Sequence, residues 1–386
     1  MDGIILFCRR IEIKYLCGKK NTMKKLFYII IMLLSCAATM QAGDKLRFVY
    51  DVNFEMNFDN REFYESNFSS SMTIFGARLT PAVGLEIMTD NNTSHRLLGG
   101  VDVMKDFGSG MENKELFREI SLYYRLNKKF DDTEMTLYAG IFPRRNMEGR
   151  YTQAFFSDSL KFYDNSLEGL LLKFKRPQAY FEVGCDWMGQ YGETRRERFM
   201  IYSAGEGKIA PFVSLGYAGY MYHFANSVKV KALVDNILLN PYVRFDFGPQ
   251  ADFQTLSLTL GYLQALQHNR VQVGHYVFPG GAHLDFEIRK WDVAIKNMAY
   301  YGTGIMPYYN YHDPGDIKFG NNLYLGDPFY RVYDNDSKER GLYDRFEVCY
   351  EPTVGKHLKI RIAALLHFNN FRYSGFQQNV GMIVQF

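Results

Sequence analysis

Hydrophobic and polar side chains alternate one by one along the segment 48–59. The apolar positions are Phe48, Tyr50, Val52, Phe54, Met56 and Phe58, and the polar positions are Asp51, Asn53, Glu55, Asn57 and Asp59. A repeat of two places each set on its own face of a β-strand. The segment exceeds the usual soluble strand of about 5–6 residues. It fits a tilted membrane strand of about 9–11 residues with a short extension.

The same alternation returns along the chain, clearly in 119–126, 181–187, 292–296 and 345–351. After Gly43 no apolar run approaches the length of about 18 residues that a membrane helix requires. Between the alternating segments lie polar turns that separate one strand from the next. The sequence therefore predicts about 16 to 18 strands, with the region 228–280 the least clearly divided.

Connections between these strands alternate in length. Short connections occur near 90–92, 128–132 and 175–177, whereas longer ones occupy 106–114, 143–165 and 303–341. A barrel threaded through one membrane has short turns on the periplasmic side and longer loops outside. We therefore predict an all-β fold, a closed antiparallel transmembrane β-barrel over residues 43–386 with long external loops near 143–165 and 303–341.

The N-terminal part of the chain has the layout of an export signal. Lys24 and Lys25 precede an apolar core at 26–34, and small residues follow up to Ala42. This order is typical of a signal peptide, here 23–42, with 1–22 an upstream extension read in error. The segment Leu33-Leu34-Ser35-Cys36 offers an alternative in which Cys36 is lipidated. We favour cleavage near Ala42.

Composition and charge change the picture in one respect. Aromatic residues make up 16% of the chain and the mean hydropathy is only −0.25, as expected where one face of each strand lines a polar lumen. Residues 1–42 hold seven basic and two acidic residues, which leaves 38 basic and 40 acidic residues, a net charge of −2. Nucleic acid is therefore not an expected partner. Cys185 and Cys349 are expected to face opposite sides of the wall as free thiols.

The chain ends in an aromatic residue with apolar residues at matching parity. Val380, Met382, Val384 and Phe386 share one face of the last segment. This ending resembles the C-terminal assembly signal of Gram-negative outer-membrane barrels, although Gln378 stands where that signal often has another aromatic. With the leader and the strand pattern, the chain resembles the general porins. The resemblance implies a place in the bacterial outer membrane, contact with outer-membrane lipid and with the barrel-assembly machinery, and allows a homo-oligomer.

The connection 143–165 is the first candidate for function. In porins the loop between strands five and six folds inward and narrows the pore, and by resemblance 143–165 is that loop. Opposed charges in a narrow aqueous constriction orient solutes and bias ion selectivity. The candidate constriction residues are Arg144, Arg145, Glu148, Arg150, Asp158 and Lys161. The alternative is that these charges only solvate an external loop.

The connection 303–341 is the second candidate. Tyr324, Asp327 and Arg331 combine an aromatic ring with hydrogen-bonding groups, an arrangement that can hold a sugar. Equally, an aromatic loop can plug or line the barrel mouth, and we favour this structural role. Other aromatic residues near strand ends, among them Tyr123, Tyr138 and Tyr180, are assigned to the girdles at the membrane interfaces.

These observations favour a porin-like channel for passive diffusion of small hydrophilic solutes. A closed structural or adhesin-type barrel is the alternative, and an outer-membrane barrel enzyme is a less favoured one. We expect no enzyme, because the eight histidines form no motif with a serine or paired acids, and GxSxG and HExxH are absent from the sequence. No cofactor and no metal site is expected from the sequence.

Overall fold

The computed structural model describes residues 46–64, 66, 68–108, 116–333 and 338–386. The expected upstream extension, the signal peptide and Cys36 lie outside these residues. Within the described ranges seventeen strands are formed: β1 Leu46–Phe63, β2 Met72–Asp90, β3 Thr93–Asp106, β4 Phe117–Phe130, β5 Thr133–Pro143, β6 Ser166–Arg176, β7 Ala179–Gly189, β8 Arg198–Ala210, β9 Val213–Phe224, β10 Val234–Asp246, β11 Thr255–Asn269, β12 Gly280–Lys290, β13 Val293–Gly302, β14 Gly341–Tyr350, β15 Thr353–Val354, β16 Leu358–Asn369 and β17 Arg372–Gln385.

The strands form one closed antiparallel sheet. Each long strand pairs with its neighbours in sequence, and β1 pairs with β17 to close the ring. The two-residue β15 belongs to the turn between β14 and β16, which pair directly. The wall is therefore a barrel of 16 long strands, within the range of about 16 to 18 that the alternation predicted. Closure satisfies the backbone hydrogen bonds within the wall, as a hydrocarbon environment requires.

In the described part of the chain, three short helices lie between strands: α1 Asp158–Tyr163, α2 Gly248–Ala251 and α3 Gly320–Leu323. Two 3-10 turns, Arg144–Asn146 and Pro328–Arg331, also interrupt long connections. None of the helices in the described part of the chain has the length and apolar character needed to cross a membrane.

The outer surface of the wall carries the apolar set of each strand. Leu97, Leu122 and Ile362 are more than half exposed there. The inner surface carries the polar set, of which Asn53 and Asp59 are almost fully buried inside the barrel. The alternation therefore separates a lipid-facing surface from the lumen.

Three aromatic residues assigned to the girdles face the lumen instead. Tyr123 and Tyr138 are buried, and the two rings lie 6.3 Å apart. The hydroxyl of Tyr180 accepts a hydrogen bond of 3.2 Å from the backbone N–H of Arg150, which is in an inward-folded connection. Their assignment to the girdles was wrong, because this lumen is partly filled with aromatic side chains rather than with water.

The C-terminal segment completes the wall. Val380, Met382 and Val384 lie opposite Phe58, Met56 and Phe54 of β1 on the lipid-facing side. The N–H of Phe386 donates to the carbonyl of Val52 at 2.9 Å, and the reverse bond measures 3.1 Å. The last residue of the chain is therefore part of the barrel seam.

Both expected cysteines have free thiols. Cys349 is buried on the lumen side, and Cys185 lies on the opposite face of the wall in β7. The prediction of two unpaired thiols is confirmed.

Candidate functional site

Residues 144–165 leave the wall at the end of β5 and enter the lumen. Pro143 ends the strand, and the 3-10 turn Arg144–Asn146 starts the inward path. Ser157 then caps α1, because its side-chain oxygen accepts the N–H of Leu160 at 3.1 Å. We call this connection the first inward segment.

Lumen-facing side chains from several strands hold the first inward segment. Arg78 of β2 pairs with Asp102 of β3 and also donates to the carbonyl of Phe162. Farther round the wall, on β7, the carboxylate of Glu182 accepts the backbone N–H groups of Glu148 at 2.7 Å and Gly149 at 2.9 Å. The segment is therefore fixed across the barrel and is not an external loop.

Residues 303–333 form a second inward segment, and its aromatic side chains pack inside the barrel on the side of the long connections. Phe329 and Tyr330 are almost completely buried, with Phe329 stacked 5.0 Å from Tyr343 of β14. The hydroxyl of Tyr330 and Nε2 of His283 form a hydrogen bond of 3.0 Å. This packing is the interior of a plug rather than an open channel mouth.

The three mouth-loop candidates are parts of this plug. The Tyr324 hydroxyl donates to the side-chain oxygen of Gln267 at 2.6 Å. Asp327 caps the turn Pro328–Arg331 by accepting the N–H of Phe329 at 3.0 Å. Arg331 lies over the ring of Tyr309, with 4.1 Å between the guanidinium carbon and the ring centroid. Tyr324 and Arg331 are buried and Asp327 is partly buried, and all three are engaged within the plug.

The two inward segments contact each other directly. The N–H of Ser157 donates to the carbonyl of Leu325 at 2.9 Å, and the N–H of Asp327 donates to that of Gln153 at 2.8 Å. Gly326 lies between these two bonds, and a Cβ placed there would come within 2.0 Å of the carbonyl oxygen of Ala154. Only glycine permits this approach.

A cavity of about 1080 Å³ lies inside the barrel, between the inward segments and the short turns. Its lining reaches from the first inward segment to Arg289, Glu351 and Lys359, near the short turns. The wall of the cavity from β12 to β16 carries a network of ion pairs. Arg361 pairs with Glu347 at 2.8 Å and also with Glu351, while Lys296 lies 3.3 Å from Glu347 and 3.2 Å from Glu351.

Glu347, Cys349 and Glu351 lie close enough together to be considered as metal ligands. Both carboxylates already accept from guanidinium or ammonium groups, since Arg289 also pairs with Glu351. Cationic neighbours of this kind compete with a metal ion. We assign these residues to the ion-pair network.

The cavity face of α1 brings together unlike groups. Asp158 accepts from Arg345 of β14 at 3.1 Å and from Gln153 at 2.6 Å, and half of its side chain remains exposed to the cavity. The hydroxyl of the next residue, Ser159, accepts from Arg61 of β1 at 2.7 Å. Arg61 is held in turn by Asp59, with 2.7 Å between the paired atoms. Two guanidinium groups from different strands, β1 and β14, thus contact two successive residues of α1.

Electrostatics keep Asp158 ionised. Desolvation inside the barrel opposes its charged form, yet the charges of Arg345 and Lys161 outweigh that cost and hold the pKa of this carboxyl well below its usual range. The group is therefore an anion at neutral pH that can accept a hydrogen bond from water and orient it.

The other constriction candidates face different partners. Arg144 is buried and lies 3.5 Å from Asp186, whereas Arg145 pairs with Asp51 at 2.9 Å. Glu148 pairs with Lys173 at 3.4 Å and with Lys175. Arg150 lies 4.0 Å from Glu206. Lys161 remains about half exposed, 3.8 Å from Asp158. Of these six candidates the segment brings Asp158 and Lys161 together. Arg144 also pairs with Asp164 of the same segment at 3.4 Å, and the other charges pair with the wall.

Several cavity residues were missed by the sequence analysis. Arg61, Ser159 and Arg345 belong to three distant parts of the chain and carry no shared motif. Arg345 begins the alternating segment 345–351 and had no other signal. Its parity put it in the lumen, but only the inward path of residues 144–165 puts it beside Asp158.

The closed wall, the lipid-facing apolar band and the filled lumen define an outer-membrane β-barrel. Among solved structures, the chain is similar to a loop L8 deletion mutant of OmpT, an outer membrane protein of Vibrio cholerae. The TM-score is 0.53 at 10% identity, with 89% of this chain and 100% of that chain covered. Weaker likenesses include Pseudomonas aeruginosa OccD3 (TM-score 0.45, 12% identity, 88% of this chain and 91% of that chain covered) and a mutant of the Rh. blastica porin (TM-score 0.42, 9% identity, 88% and 100% covered).

A family model for lipid A 3'-O-deacylase-type proteins matches residues 40–380. The chain therefore belongs to the lipid A 3'-O-deacylase-type family. No curated protein sequence gives a significant match. The family corrects two expectations. It is named for an enzymatic activity, so the expectation that the chain is not an enzyme was wrong. The resemblance to general porins holds for the outer-membrane barrel but not for the family.

Proposed function

We propose that this protein hydrolyses an ester-linked acyl chain of a lipid A-type glycolipid in the outer membrane. The observation that carries the proposal is the family match, which covers nearly all of the barrel together with both inward segments. The plug supports it, because a barrel whose outer half is packed with buried aromatic rings is poorly suited to free diffusion.

The cavity face of α1 offers the groups that ester hydrolysis needs. Attack on an ester carbonyl requires a proton acceptor for the attacking water and positive charge or donors for the developing oxyanion. We assign the first role to the Asp158 carboxylate and the second to Arg61 and Arg345. Water gives a proton to Asp158 as its oxygen bonds to the carbonyl carbon. The carbon–oxygen ester bond then breaks, and the sugar alkoxide takes that proton.

The test is Asp158→Asn, assayed by mass spectrometry for loss of an acyl chain from lipid A in detergent micelles. Removing a general base lowers turnover by about 100-fold or more. Asp164→Asn is the matched control, because Asp164 lies on the same segment but faces Arg144 at 3.4 Å. Wild-type activity in both variants would remove Asp158 from the mechanism. No acyl release by the wild-type protein would overturn the proposed function.

Passive diffusion of small hydrophilic solutes is the second candidate, favoured by the charged cavity in the lumen. In this case Arg145, which lines the cavity, would take part in ion selection. Single-channel current through the purified barrel in a planar bilayer separates the two functions. Discrete steps whose reversal potential shifts in Arg145→Ala would favour the channel, and a silent, folded barrel that deacylates lipid A would favour the hydrolase.

A further inference from the structure

One row of side chains crosses the outer face of five neighbouring strands at the end of the wall that carries the long connections. Trp187 of β7 lies opposite Phe199 of β8, which lies opposite His223 of β9. His223 lies opposite Asp235 of β10, and Asp235 lies opposite His268 of β11. We call these five residues the interface row.

The interface row marks a boundary on the barrel surface. The neighbouring outward row toward the short turns contains only uncharged, mostly aliphatic side chains: Cys185, Ile201, Met221, Ile237 and Leu266. On the other side of the interface row the strands give way to the long connections. The row therefore lies where the lipid-facing band ends, at the level of the headgroups of the outer leaflet.

The first half of the row is a ledge of aromatic faces. The rings of Trp187 and Phe199 stack at 5.3 Å with an angle of 12°, and the ring of Phe199 lies 4.9 Å from the imidazole of His223. Trp187 remains 43% exposed. Such a flat, exposed surface suits the apolar face of a sugar ring.

The second half of the row is charged. Nδ1 of His223 lies 3.7 Å from one oxygen of Asp235, and Nε of Arg270 lies 2.7 Å from the other. The Arg270 side chain is about half exposed, so part of its donor set faces outward. Tyr276 packs on His268 with 4.5 Å between ring centroids, and the buried Nε2 of His268 has no hydrogen-bond partner among the described residues.

A simple interface belt needs only aromatic rings with one polar edge. Here an imidazole, a carboxylate and a guanidinium lie side by side at the membrane interface, which a belt of that kind does not require. Together they offer directional donors and acceptors beside a stacking surface. Sugar hydroxyls and phosphate oxygens match that set, and an aliphatic lipid tail does not.

We infer that the interface row and Arg270 bind the sugar headgroup of an outer-leaflet glycolipid from the outside of the barrel. The inference rests on the proposed function, since it names the surface that would first engage the lipid A-type substrate. The row lies on the outer face, whereas the assigned hydrolytic groups lie in the lumen, so binding and hydrolysis can be measured separately.

The positions of the two tryptophans supply the experiment. Trp187 belongs to the interface row, and Trp291 lies in the turn between β12 and β13 at the opposite end of the wall. Trp291→Phe therefore leaves one fluorescent reporter in the row, and Trp187→Phe leaves one at the far end. Each variant is placed in phosphatidylglycerol nanodiscs with or without purified lipid A. We expect lipid A to change the emission of Trp187 and not that of Trp291.

A second variant series identifies the contacts. In Trp291→Phe, adding Asp235→Asn and Arg270→Gln removes charge from the row, and loss of a charged hydrogen bond weakens the apparent affinity for lipid A about tenfold or more. The inference would be overturned if the emission of Trp187 were the same in nanodiscs with and without lipid A. It would also be overturned if Asp235→Asn with Arg270→Gln left the affinity for lipid A unchanged. If acyl release persists in either case, the proposed function stands. A lipid A-specific response of Trp187 without acyl release supports the binding row and overturns the hydrolase.

Discussion

At the residue scale, the buried pair of Arg78 and Asp102 connects two strands to the first inward segment. Arg78 has 2% of its side chain exposed and Asp102 has 5%, and the same guanidinium donates to the carbonyl of Phe162. Removing one member of such a pair leaves an uncompensated buried charge. We therefore expect Arg78→Met to lower the free energy of unfolding by about 3–5 kcal/mol, measured by urea titration of the folded barrel in lipid vesicles.

The double variant Arg78→Met with Asp102→Asn is the control for that experiment. It removes the stranded charge, so a large part of the lost stability should return. A single variant as stable as the wild type would contradict the role assigned to this pair. A double variant less stable than the single one would show that lost packing, rather than the charge, dominates.

Single residues also mark where sequence reasoning reaches its limit. The polar parity of β1 correctly put Asp59 in the lumen, because a repeat of two is a local property of the strand. Tyr123 and Tyr138 were placed at the lipid interface because aromatic rings are common there. Their positions depend on what fills the lumen, and that is decided by contacts with distant segments. Ring type alone therefore could not assign the face.

At the scale of elements, strands and turns were predictable, whereas the inward path of two connections was predictable only in part. The position of 143–165 as an inward segment came from resemblance to porins. Its anchors join Arg61 to Ser159 over 98 residues and Arg345 to Asp158 over 187 residues. No local pattern encodes such pairs. The wall could be predicted from the sequence, and the lumen site could not.

The contact between the two inward segments provides a test at this scale. In Gly326→Ala the new methyl group meets the carbonyl of Ala154, so the segments must separate at a cost of about 1–3 kcal/mol. We expect faster protease cleavage within 144–165 and 303–333 while the barrel itself stays folded. The measurement is limited proteolysis followed by mass spectrometry.

Gly207→Ala is the matched control, because a Cβ at Gly207 of β8 meets only the Cβ of Ala179, at 4.0 Å. It should be cleaved at the wild-type rate. Equal rates for Gly326→Ala and the wild type would show that the two segments do not depend on this contact. Unfolding of the whole barrel in Gly326→Ala would show instead that the plug supports the wall.

At the scale of the whole molecule, Phe386 has two roles to separate. It forms part of the barrel seam, and it is the terminal aromatic residue of the segment that resembles an assembly signal. The ring of Phe386 stacks on His357 with 4.8 Å between centroids. If the terminal ring is recognised during assembly, Phe386→Ala should yield less folded barrel in cells, while the purified variant refolds normally in detergent. Heat-dependent mobility on gels reports both quantities.

His357→Ala removes the same ring contact but keeps the terminal aromatic, so it should assemble like the wild type. Poor assembly of both variants would mean that the stacking contact matters rather than recognition. A Phe386→Ala protein that also fails to refold after purification would assign the defect to the stability of the seam.

The seam between β1 and β17 also constrains the order of events in synthesis. It pairs Asn53 with Gln385 and Phe63 with Gly375, and the side-chain bond from Gln377 to Asp59 spans 318 residues. Closing a loop of that length costs about 5 kcal/mol of chain entropy. β1 is synthesised first and cannot form this pairing until β17 has been made. Until then each of the two strands has an unpaired edge, which promotes aggregation. The whole chain therefore has to leave the ribosome and cross an aqueous compartment before β1 can pair with β17 and close the barrel.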